Sequence, residues 1–261
     1  MEELRVTIIQ TKLHWENAST NNQMFDKHFD SIRQQTDLIV LPEMFTTGFT
    51  MNASSTAETF QGKTVEWMRN WASKKNCVIT GSIIIQEDKK YFNRLIWMRP
   101  DGNLEMYDKR HLFRLSGEEK IYSAGNKKLI TVINGWKICP LVCYDLRFPV
   151  WSRRTAQDDY DVLLYVANWP GRRINAWKQL LPARAVENQS YVIGVNRIGS
   201  DGNGVEHTGE SALLDFLGEK INGTTANMES VETVSLSLSA LKNFRSSHPF
   251  ESDADKFQLM P

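Results

Sequence analysis

The stretch Trp136-Lys137-Ile138-Cys139-Pro140-Leu141-Val142-Cys143-Tyr144-Asp145-Leu146-Arg147-Phe148-Pro149 carries the most information in the chain. Its apolar run predicts a strand that stops at Val142, with polar residues following at once and a helix near 149–156. A cysteine at such a junction sits on a sharp turn with its side chain exposed. The backbone N–H groups just after it are then free to hold an oxyanion. Thiol attack on a carbonyl carbon needs those donors and a base to remove the thiol proton, and a neighbouring cation would lower the thiol pKa. A lone cysteine is also readable as a small buried hydrophobe, and that reading is kept for Cys139, inside the strand, and for Cys77, at a helix–strand junction. The spacing of Cys139 and Cys143 is not that of a CxxC redox or zinc pair, and no histidine cluster completes a metal set.

Upstream of this stretch, Asn134-Gly135 is a strong two-residue hairpin signal, pairing 129–133 with 136–142. Pro100-Asp101-Gly102-Asn103 likewise separates strands at 92–99 and 104–107. Further out, 4–10, 37–42, 78–85, 161–167, 191–198, 211–216 and 231–236 read as strands. Helical spacing marks 18–35, 64–75, 175–188 and 239–244. Hairpins mixed with βα units, without repeats or linkers, predict one α/β domain with a large mixed sheet, or two, covered by helices.

Composition excludes several functions. Lys plus Arg and Asp plus Glu each number 31, giving zero formal charge without the basic excess of a nucleic-acid binder. No apolar run reaches the ~18 residues of a membrane helix, and residues 1–5 lack the pattern of a signal peptide. Three cysteines make no disulfide framework, so a reducing cytoplasm is expected.

A base must come from elsewhere, and the five histidines offer no obvious partner. Glu43 ends the apolar run Leu38-Ile39-Val40-Leu41-Pro42, where a carboxylate is costly unless it has a task or a partner. It could equally cap a loop or form a structural ion pair. Lys109, in Tyr107-Asp108-Lys109-Arg110-His111-Leu112-Phe113, could hold a developing oxyanion or be an ordinary surface lysine.

Leu41-Pro42-Glu43, Tyr107–Leu112 and Val142–Pro149 together resemble the signature motifs of the nitrilase superfamily of carbon–nitrogen hydrolases, in the family's order and at compatible spacing. The likeness continues through Asn168-Trp169-Pro170 and 184–192. It implies a four-layer α-β-β-α sandwich that dimerises through helices near the active site, and it implies no metal or organic cofactor. Residue by residue, it implies Glu43 as general base, Lys109 as stabiliser of the tetrahedral intermediate, Cys143 as nucleophile and the Tyr144 N–H as second oxyanion donor. A further glutamate is implied at Glu118, with Glu119 adjacent as the alternative.

Within the family, Cys143–Pro149 with His111-Leu112-Phe113 is most similar to the ω-amidase branch. That branch deamidates 2-oxoglutaramate and 2-oxosuccinamate. Such substrates carry a carboxylate, which Arg147 could hold bidentately. Alternatively, Arg147 pairs with Asp145 and shapes the loop. Arg172 and Arg173 are rival clamps, Phe113 an apolar wall, and Trp169 and Trp177 candidate pocket residues. A carbamoylase, a nitrilase or a redox-sensing binding pseudoenzyme are the other readings. The expected partner is a small carboxamide substrate, with no nucleic acid, no membrane and a second copy of the chain.

Overall fold

Leu38 and Val40 turn to one hydrophobic core while Ile39 between them turns to another. This short strand is therefore buried on both faces, as its unbroken apolar run requires. The computed structural model describes residues 2–259. Its elements begin with β1 (Glu3–Gln10), α1 (Ala18–Ser31), β2 (Leu38–Val40), α2 (Ala53–Thr56), α3 (Lys63–Lys75), β3 (Val78–Glu87), β4 (Lys90–Met98), β5 (Leu104–Asp108) and α4 (Glu118–Ile121). They continue with β6 (Thr131–Ile133), β7 (Trp136–Val142), α5 (Pro149–Ser152), β8 (Val162–Ala167), α6 (Ile174–Asn188) and β9 (Tyr191–Asn196). Last come β10 (Ile198–Ser200), β11 (Glu206–Thr208), β12 (Ala212–Leu214), β13 (Ser230–Ser237) and α7 (Leu238–Ser247).

One sheet has six strands in the order β13-β1-β2-β3-β4-β5, and the other has five in the order β12-β9-β8-β7-β6. Central neighbours run parallel and the outer pairs antiparallel, including both hairpins expected from the turn signals. The inner faces meet in a single core in which Val6, Leu38 and Trp97 join Ile138, Leu164 and Val192. Helices α1 and α3 cover the outer face of the larger sheet through Phe25, Phe29, Met68 and Trp71. On the far side, α6 lies so close to β9 that a Cβ at Gly194 would fall 2.6 Å from Leu181. The layers run helix, sheet, sheet, helix, the arrangement implied by the family resemblance.

Two expectations are corrected. The first helix ends at Ser31 rather than 35, with Ile32 already extended; the chain must swing so that Asp37 can accept hydrogen bonds from the Arg5 backbone and guanidinium. The region 191–198 is not one strand. It breaks after Asn196, and β10 pairs with β11 as a separate ribbon.

Candidate active site

Each of the proposed reactive side chains stands where a strand has just ended. Glu43 follows β2, Lys109 directly follows β5, and Cys143 directly follows β7. The first two belong to the larger sheet and the third to the smaller, so the site lies at the mouth of the inter-sheet core. Cys143 takes a left-handed backbone conformation, φ 44°, which is rare for a residue with a Cβ and marks a sharp turn. Cys143–Arg147 then coils as a 3-10 turn. The first N–H groups of such a turn have no acceptor within it, which leaves the Tyr144 amide available beside the thiol.

The Lys109 Nζ lies 3.0 Å from Glu43 Oε1 and 3.0 Å from both oxygens of Glu118. All three side chains are buried. A buried ammonium survives only with such compensation. Burial pulls the Lys109 pKa down, but Glu118 and Glu43 more than reverse this, and the lysine stays protonated. The Glu118 carboxyl is pushed up by burial and partly drawn back by Lys109. Its oxygens also accept from the Phe113 N–H and, at 3.4 Å, from Asn93. Glu119 is exposed, so Glu118 is the residue that joins the cluster.

Glu43 is held from both sheets. Asn93 Nδ2 on β4 donates to Oε1 at 2.8 Å, and the Asn168 N–H after β8 donates to Oε2 at 2.8 Å. The Cys143 thiol and the Glu43 carboxylate line the same cavity, and the Glu43 charge acts on the thiol. Burial and the negative charge of Glu43 raise the thiol pKa well above its usual value, and Lys109 offsets this only in part. Lys109 does act downward, but desolvation wins and the resting sulfur keeps its proton. The thiol is also half-buried and packed against the core, not freely exposed.

These groups open into a cavity of about 530 Å³. Phe113, Tyr144, Trp169, Arg147, Arg172 and Arg173 line it together with Glu43, Lys109 and Cys143. Arg147 stacks over the Trp169 ring at 4.9 Å and Arg173 over Phe113 at 4.7 Å. None of the three arginines forms an ion pair among the described residues. The Asp145 carboxylate is instead taken up by Tyr107, His111 and the Val142 N–H, so the expected alternative partner of Arg147 is occupied elsewhere. Burial and the neighbouring Arg172 lower the Arg173 pKa, the effect of crowded cations without a counterion. Trp177 does not line the pocket; it is fully buried and donates to the Glu210 carbonyl.

Sequence reasoning missed Asn93 and the Trp15-Glu16 corner of the wall. It also missed the pairing of His111 Nδ1 with Asp145 Oδ1 at 2.8 Å. Asn93-Arg94, a polar pair inside an otherwise apolar strand, was the available signal. Among the described residues no group of three or more His, Cys, Asp or Glu could hold a metal ion.

The family described as carbon-nitrogen hydrolase matches residues 5–246. The chain is 45% identical over 260 residues to "Omega-amidase YafV" of Yersinia enterocolitica, covering 100% of both chains. It is 29% identical over 254 residues to the "2-oxoglutaramate amidase" of Bacillus subtilis, covering 96% of this chain and 97% of that protein. Among solved structures it superposes on XC1258 from Xanthomonas campestris, a CN-hydrolase superfamily protein with an arsenic adduct in its active site. That match has a TM-score of 0.96 and 42% identity and covers 100% of both chains.

Proposed function

Because the chain belongs to the carbon–nitrogen hydrolase family, we propose that it is an ω-amidase, hydrolysing the terminal amide of 2-oxoglutaramate or 2-oxosuccinamate to the 2-oxo dicarboxylate and ammonia. One observation supports this substrate class above the others. A pocket that ends in a carboxylate–ammonium–thiol cluster also presents arginines lacking any anionic partner. Guanidinium groups without counterions are matched by a ligand carboxylate, which they hold bidentately.

The reaction uses the chain's own groups. Glu43 takes the thiol proton as Sγ attacks the amide carbon. The tetrahedral oxyanion lies between Lys109 Nζ and the Tyr144 N–H. Collapse breaks the C–N bond, and Glu43 returns the proton to the departing ammonia. Water, deprotonated by the freed carboxylate, then hydrolyses the thioester and restores the thiol. Glu118 holds the ammonium in place throughout. Arg147 and Arg173 hold the remote carboxylate, with Phe113 and Trp169 as apolar walls behind them.

The enzyme works in the cytoplasm, a reading supported by its unpaired cysteines. No helix among the described residues is long and apolar enough to cross a membrane. It acts as a homodimer through the face bearing α5 and α6, where Val150 and Val186 stand about half exposed.

Ammonia release from 2-oxoglutaramate, N-carbamoyl amino acids and aliphatic nitriles tests the assignment. The 2-oxo amide is the preferred substrate by kcat/KM. Preference for a carbamoyl compound or a nitrile would replace this reading, and stoichiometric binding of the 2-oxo amide without ammonia would make the protein a binding module.

A further inference from the structure

We propose that Asp145 is a positioning residue that sets the distance between the Lys109 ammonium and the Cys143 thiol. It does so by tying the segment after β5 to the turn after β7, and it touches neither substrate nor the reacting atoms.

The two groups that meet across the amide carbon come from different sheets, so nothing in either sheet's own ladder fixes their separation. Lys109 donates its backbone N–H to the Asn93 carbonyl and accepts from the Gly125 N–H, each at 3.0 Å. Both bonds hold it to its own side of the interface. Asp145 crosses that interface. It is completely buried, two residues beyond the nucleophile. Its Oδ2 accepts from the Val142 N–H at 3.0 Å, bracing the strained turn from within.

The same carboxylate reaches to the lysine segment on both sides of Lys109. Oδ2 accepts from the Tyr107 hydroxyl at 2.7 Å, two residues before the lysine. Oδ1 accepts from the His111 N–H at 3.0 Å and lies 2.8 Å from His111 Nδ1, two residues after it. The Tyr107 oxygen in turn accepts from the Arg110 N–H at 3.2 Å and from Trp151 Nε1 at 2.9 Å. The His111 ring also stacks flat on Phe148, centroids 3.7 Å apart. Apart from the Arg110–Tyr107 bond, each of these contacts links residues 107–111 to residues 142–151.

A carboxylate accepting several donors in a dry environment is a stiff junction, because each bond is strong and no water competes. Loosening it displaces Lys109 relative to Cys143, while Arg172 and Arg173, in a separate turn, have no contact with Asp145. A displacement of about 1 Å at a reacting centre can cost on the order of a hundredfold in rate. An amide in place of the carboxylate has a single acceptor oxygen, so part of the donor set loses its partner.

The inference rests on Lys109 and Cys143 acting as proposed above, and the experiment separates the two. Asp145→Asn, Tyr107→Phe and Cys143→Ala are compared with wild type for kcat, KM, thermal midpoint and the pH profile of Cys143 alkylation by iodoacetamide. Loss of turnover in Cys143→Ala upholds the underlying reading, and its survival removes that reading first. Given that loss, Asp145→Asn is expected to lower kcat on the order of a hundredfold with KM nearly unchanged, and Tyr107→Phe to do so more mildly. In both, alkylation moves to higher pH, because the nearby ammonium that holds the thiol pKa down has shifted away. Should Asp145→Asn fail to fold, Tyr107→Phe alone decides. A folded variant with a lowered thermal midpoint but wild-type kcat and alkylation profile would show Asp145 to be structural only.

Discussion

Glu118 grips Lys109 with both carboxylate oxygens, each 3.0 Å from Nζ, and both side chains are buried. Glu43 reaches the same ammonium with one oxygen and has its other on the Asn168 amide. The geometry thus divides the work: Glu118 grips the cation with both oxygens, and Glu43 shares it while lining the cavity beside the thiol.

Glu118→Gln keeps the shape and removes the charge. Turnover should fall on the order of a hundredfold with KM little changed, because a misplaced ammonium weakens oxyanion stabilisation rather than substrate binding. Steady-state ammonia release measures this, and a rate close to wild type would leave Glu118 without a catalytic task.

Glu43→Gln removes the proton acceptor itself. A loss of roughly 10²–10⁴ in kcat is expected of a general base. A loss below about tenfold would be too small for that role.

The resting thiol carries its proton because burial and the Glu43 charge oppose the thiolate. Alkylation of Cys143 by iodoacetamide should therefore keep rising with pH past the ordinary thiol value of about 8.5. A plateau reached below neutrality would mean a thiolate at rest, and Glu43 would then have no proton to take.

Arg147→Ala and Arg173→Ala should each raise KM for carboxylate-bearing amides far more than for neutral amides of the same length. Both arginines face the cavity with only aromatic rings beneath them. Equal effects on charged and neutral substrates would make them supports of the wall and not a clamp.

His207 is buried within the β10–β11 ribbon, on β11, and its pKa falls to about 4 because burial and then Arg197 disfavour the cation. The folded value lies below the unfolded 6.5, so the neutral histidine adds stability that is complete above pH 6.5 and lost as pH falls towards 4. His207→Gln should flatten the decline of thermal midpoint with acidity across that window. An unchanged slope would mean that other groups govern acid unfolding.

Much of this architecture was legible in the residues themselves. Strands buried on both faces announce themselves as unbroken apolar runs, and Asn134-Gly135 forced its hairpin. Glu43, Lys109 and Cys143 were visible because each interrupts or ends an apolar run with a reactive group. Glu118 could be told from Glu119 only after folding, since adjacent residues on a short helix differ simply in which one faces inward.

The roles of Asn93 and Asp145 depend on contacts across 50 and 38 residues of chain, to Glu43 and Tyr107, and local pattern carries no such information. The β10–β11 ribbon was missed because its strands are three residues each, too short for periodicity to register. Its turn, Asp201-Gly202-Asn203-Gly204, was nevertheless a readable signal. How strongly burial raises the thiol pKa was not legible, because spacing reveals a nearby lysine but not how far water is excluded.

The nucleophile is tested most directly by ammonia release from 2-oxoglutaramate with wild-type protein and with folded Cys143→Ala. Wild type should turn over repeatedly, and the variant should release no ammonia while binding the substrate. Sustained turnover by the variant would contradict thioester catalysis at Cys143.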